Sequence, residues 1–192
     1  MLCRLFLALV ALASSFSPSF ATGQIESLIT DADRERLTRF DSAKTQALQE
    51  VEGADSETAL AAFRKAAAAE TLPFTDFDLT GDWQCRTLKA GGLAKMVVYG
   101  WFDCRVTDDG SGWHLEKLTG SQRTVGRFFT ESDTRLTYLG TFFVAGDSAP
   151  EYGAGIDSDQ VGYAVRTGPE TWQIEFPLPR YESTFDILEF RR

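Results

Sequence analysis

The chain has 192 residues, 43% of them hydrophobic, and a formal net charge of −9 at pH 7. That length suffices for one ordinary domain with a true core, so no second folding unit is required. An acidic surface repels phosphate backbones, which argues against a nucleic-acid partner.

The first residues carry one positive charge at Arg4, an apolar run follows from Leu5 to Ala13, and Ser19-Phe20-Ala21 offers small residues for cleavage. This is the three-part pattern of a secretory signal peptide over 1–21, with the mature chain starting near Thr22. The apolar run is too short to span a bilayer as a helix, so no membrane span is expected after cleavage. A periplasmic or secreted location follows. Cys3 leaves with the leader, and Cys85 and Cys104 remain as an even pair in an oxidising compartment, where a disulfide is expected. The loop it closes is of order 20 residues, worth roughly 3 kcal/mol in the chain-entropy treatment.

From Thr30 the pattern turns helical: Leu37, Phe40, Ala47, Leu48 and Val51 recur at three- and four-residue spacing with charges opposite. Thr30 is placed to cap this helix, with Asp33 three residues on, and Gly53 marks its end. A second, alanine-rich helix runs from about Ser56 to Glu70, and Pro73 stops further helix. Residues 22–72 are therefore expected to form a helical hairpin that docks through Leu37, Phe40, Leu48, Leu60 and Phe63.

Beyond Pro73, β-branched and aromatic residues alternate with polar ones between turn clusters. Strands are expected near 78–88, 95–107, 112–119, 123–130, 134–145, 159–167, 171–177 and 183–191. Most connections are short and carry hairpin chemistry, as in Asp108-Asp109-Gly110-Ser111-Gly112. Only 146–158 is long. Eight consecutive antiparallel strands over 73–192 close as an up-and-down barrel or, alternatively, pack as a two-layer sandwich. Gly81-Asp82-Trp83 resembles the Gly-x-Trp signature of lipocalins, which implies a lipocalin-like barrel with Trp83 at its base and Arg191 or Arg192 packed over it.

Trp83-Gln84-Cys85-Arg86, Trp101-Phe102-Asp103-Cys104-Arg105, the run Gly120 to Arg127, Asp159-Gln160-Val161-Gly162 and Pro179-Arg180-Tyr181-Glu182-Ser183 together resemble an uncharacterised bacterial family, domain of unknown function 4893. The resemblance extends from about Leu37 to the C-terminus. It implies no activity and no catalytic residue.

The residues add little catalytic chemistry. Ser121 lacks the Gly-x-Ser-x-Gly spacing of a nucleophile elbow, and the sole histidine, His114, alternates within a short strand like any other strand residue. Asp147, Glu151, Asp157 and Asp159 supply oxygen ligands in the long loop, but not in the order of a calcium loop, and too few His and Cys remain for zinc. No metal, cofactor or catalytic residue is assigned. Arg86, Gln122, Arg123 and Gln160 are the candidate ligand-binding residues: arginine binds carboxylates through paired donors, and a polar barrel interior or rim built from them suits a small anion. The competing role for these arginines is exterior pairing with Asp103, Glu116, Glu182 or Glu189. The expected function is an exported, non-enzymatic binding module for a small anionic ligand or an extracytoplasmic protein. The alternatives are a periplasmic inhibitor of a protease or lysozyme, and an enzyme using paired carboxylates such as Asp103, Glu116 or Glu182.

Overall fold

A computed structural model describes residues 22–192; the leader expected over 1–21 lies outside the described residues. Four helices precede the sheet: α1 (Thr22–Leu28), α2 (Asp31–Thr38), α3 (Phe40–Glu50) and α4 (Glu57–Ala67). Thr30 caps α2 by accepting from the Asp33 backbone N–H at 3.3 Å, and Ser56 caps α4 by accepting from Ala59 at 3.2 Å. The helix expected across 30–53 breaks at Arg39, whose N–H bonds back three residues to the Arg36 carbonyl at 3.2 Å. That tightened turn frees α2 to reach one side of the barrel while α3 lies on another.

Nine strands follow: β1 (Gly81–Ala90), β2 (Met96–Val98), β3 (Phe102–Asp108), β4 (Trp113–Lys117), β5 (Gln122–Ser132), β6 (Arg135–Val144), β7 (Asp159–Arg166), β8 (Thr171–Pro177) and β9 (Phe185–Arg191). Neighbours pair antiparallel, and β1 pairs with β9 from Gln84 to Ala90, which closes the sheet. The result is an eight-stranded barrel rather than a sandwich. The single strand expected over 95–107 is divided: β3 pairs with the first half of β1 and β2 with its second half. Trp101 fills the gap between them on the outside, with the Arg86 and Arg191 guanidinium carbons 4.6 and 3.9 Å from its ring.

Alternation decides what lies inside. Trp83 and Cys85 face the barrel core with Trp172, Ile174, Phe176, Leu188 and Phe190. Leu88, Ala90, Phe185 and Ile187 face outward and are covered by Ala43, Ala47 and Val51 from the α3 region and by Phe63 and Ala66 of α4. Small alanines carry much of this contact, so the helices come close to the sheet, while Phe40, Leu48 and Leu60 are only partly buried. Covered on both faces, β9 reads as a nearly continuous buried run. The Cys85–Cys104 disulfide crosses β1 and β3 inside the barrel, with Cα atoms 5.9 Å apart. At the base, Arg192 lies 4.2 Å over the Trp83 ring and donates to the Thr80 carbonyl, while the Trp83 indole donates to Leu79 O.

Candidate functional site

The interior changes character along the barrel axis. Two and four residues beyond Cys85, the same alternation that buries Trp83 brings Thr87 and Lys89 inward. Lys117 ends β4 on the inward face begun by Trp113 and Leu115, and Gln122, Thr124, Gln160 and Asp186 arrive from β5, β7 and β9. With Phe142, Phe176 and Leu188 they line an inner pocket of about 60 Å³. This pocket shares Lys89, Gln122, Phe142, Gln160, Phe176 and Asp186 with an open cleft of about 620 Å³ at the barrel mouth.

Tyr138 helps to separate this polar end from the aromatic base. Its ring lies against Gly126 and Gly140: a Cβ on either glycine would come within 2.7 Å of Tyr138 Cζ or 2.3 Å of its hydroxyl. The two glycines therefore admit the ring. Its hydroxyl lies 2.7 Å from Thr124 Oγ1, which donates in turn to Gln160 Oε1 at 2.6 Å, so the phenol O–H is the donor to Thr124. Complete burial pushes the phenol pKa up and keeps it neutral for that role. Among the described residues, the Gln160 amide N–H groups and the Gln122 side chain have no protein partner.

The cations at this end are in unequal states. Lys89 Nζ sits 3.2 Å from Asp186 and 3.4 Å from Glu182. Burial opposes its charge, but these carboxylates outweigh burial and raise its pKa. Lys117 is 6% exposed and has no carboxylate partner among the described residues; its nearest special contact is the Phe102 ring, 4.7 Å from Nζ. Burial first, then the positive charges of Arg123 and Lys89, push its pKa down to about 8.

The residues expected to bind a ligand separate accordingly. Gln122 and Gln160 stand on the pocket wall. Arg123 borders it, but its guanidinium donates to the Gly120 carbonyl at 2.6 Å and to the Leu118 carbonyl, clamping the β4–β5 turn. Arg86 lies outside the barrel, donating to Glu189 at 2.6 Å, and takes no part in the pocket. Lys117 and Lys89 were the residues that sequence reasoning passed over. The signal was present: each is a lysine in register with large apolar residues on the inward face of its strand.

The long loop over 146–158 forms one wall of the mouth and is fixed by α2. Tyr152 donates to Asp33 at 2.6 Å, Asp33 pairs with Arg36 in the interior, and Arg36 donates to the Asp159 carbonyl at 2.7 Å. Its Asp157 pairs with Arg180 at 2.7 Å. Among the described residues, no three His, Cys, Asp or Glu side chains gather to hold a metal ion.

A closed eight-stranded antiparallel barrel, sealed at one end by aromatic rings and open at the other over a polar pocket, has the architecture of the lipocalin-like barrels. Within that class the chain belongs to the family described as domain of unknown function (DUF4893), whose profile matches residues 26–190. No curated protein and no solved structure matches the chain.

Proposed function

We propose that this protein is an exported, non-enzymatic binding module whose open barrel end takes a small anionic ligand, a carboxylate above all. Export is supported by the leader pattern over 1–21 and by the Cys85–Cys104 disulfide. The observation that carries the ligand reading is Lys117. A buried ammonium without a counter-charge is costly, and an anion entering from the mouth supplies the missing charge. The Gln122 and Gln160 amides add neutral donors beside it, and Phe142 and Phe176 offer apolar wall.

Melting the protein at pH 6.5 with acetate, glycolate or benzoate tests the reading. Ligand at a hundred times its Kd stabilises by about 2.7 kcal/mol. A carboxylate-dependent rise in Tm that disappears in Lys117→Met is expected. No rise with any carboxylate, or an equal rise in the variant, would contradict it. A second reading, contact with another extracytoplasmic protein, is favoured by the apolar side chains exposed around the mouth: Leu93, Val144 and Tyr181.

A further inference from the structure

We infer that Lys117 is also a nucleophile, and that its amine captures a small α-oxo acid or aldehyde acid as a covalent imine inside the barrel. The inference rests on the open end being an anion site, and it adds a chemical step to that site. Two conditions activate a lysine as a nucleophile: removal from water and a neighbouring cation. Both hold here, since Lys117 is buried against the Phe102 ring and lies near Lys89 and Arg123. The charged groups on the inner pocket's wall besides Lys117 are Lys89 on β1, Arg123 at the start of β5 and Asp186 on β9. Asp186 is engaged by Lys89 and by the Ser183 hydroxyl, which donates to it at 2.5 Å. With no carboxylate partner among the described residues, Lys117 is not locked as an ammonium. Near pH 7.5 roughly a quarter of amines with a pKa of about 8 are neutral, against about one in a thousand ordinary lysines.

The lone pair of neutral Nζ forms a bond to the carbonyl carbon as the C=O π bond breaks. Nζ gives up one proton and the carbonyl oxygen gains one, making the carbinolamine; the nitrogen lone pair then expels that oxygen, which takes a second proton from solvent and leaves as water, so the imine keeps the nitrogen's remaining proton. No oxidant or reductant is needed. The ligand's carboxylate stays beside Lys89 and the Gln122 and Gln160 amides, where its charge also stabilises the protonated imine. The inner pocket of about 60 Å³ selects compounds of a few heavy atoms. Capture is stoichiometric and reverses on hydrolysis.

The test treats the folded protein with glyoxylate and cyanoborohydride, which reduces the imine to a stable carboxymethyl group, and maps modified lysines by peptide mass spectrometry at early times. Lys117 should be labelled at least about tenfold faster than the exposed Lys65 and Lys95, in keeping with its larger neutral fraction. Glycolate, which lacks the carbonyl, should slow that labelling. Lys117→Arg removes the nucleophilic amine, so it should lose the fast label while Lys65 and Lys95 are labelled as in the parent. Labelling of Lys65 and Lys95 with Lys117 spared overturns the capture step. If glycolate still raises the Tm in that case, the anion site stands without the chemistry; if it does not, both readings fall.

Discussion

At the base of the barrel, Trp172 stacks on Phe190 with ring centroids 3.7 Å apart and meets Trp83 edge-on at 5.8 Å. At the mouth, the same β1 that places Trp83 in this stack places Thr87 and Lys89 against Lys117, Gln122 and Asp186. One strand pattern thus builds a filled end and an unfilled one. Buried aromatic area stabilises the fold, whereas a buried cation without a partner opposes it. Among the described residues the buried side-chain atoms left without a hydrogen-bond partner are Arg135 Nε and, at the base, Trp172 Nε1, whereas at the polar end it is the charge of Lys117 that lacks a carboxylate.

The largest effect should come from the base. Trp172 is 1% exposed, and Trp172→Ala should cost about 4 kcal/mol, since the rigid ring of strands has little freedom to collapse into the space. Denaturant melts should show that loss, and carboxylate binding measured below the lowered Tm should persist. Loss of binding in the folded variant would mean that the two ends are not independent.

A smaller effect of opposite sign is expected at the mouth. The Lys117 pKa is lowered in the folded state to about 8, while the unfolded chain has the ordinary value of about 10.4. Between these values the unfolded state binds more protons, so stability rises with pH across that window, and below pH 8 the penalty is fully present. The shift corresponds to roughly 3 kcal/mol. Lys117→Met should therefore be more stable than the parent at pH 7 by up to about that amount, with the gap closing as the pH rises from about 8 toward 10. A variant less stable than its parent at pH 7 would show that Lys117 is a packing residue.

The barrel was legible because period-two alternation and hairpin turns are local signals, and because Gly81-Asp82-Trp83 and the final arginines mark the base. The disulfide was legible from compartment and strand order. The break at Arg39 was not, since no Pro or Gly stands there and it accompanies a tertiary contact, the bond from Arg36 to the carbonyl of Asp159 at the start of β7. The division of 95–107 also depends on tertiary pairing, because β1 has to accept two short partners on one edge. At the site, Gln122 is legible as a rim residue from its place in the turn before the expected strand 123–130, and Gln160 as one of the polar residues suited to a pocket wall. Arg86 was assigned a candidate ligand role because alternation gives parity but not which parity faces in. Lys117 was missed because a lysine ending a short strand reads as solvated unless its register with Trp113 and Leu115 is weighed.

The central claim is that Lys117 is a buried cation without a carboxylate partner among the described residues, on the wall of the inner pocket at the polar end of the barrel. NMR titration of its Nζ and Cε signals, assigned by comparison with Lys117→Arg, measures this directly. A midpoint near 8 that moves upward when glycolate is added is the predicted result. A midpoint at the ordinary value of about 10.4, unmoved by carboxylate, would contradict it.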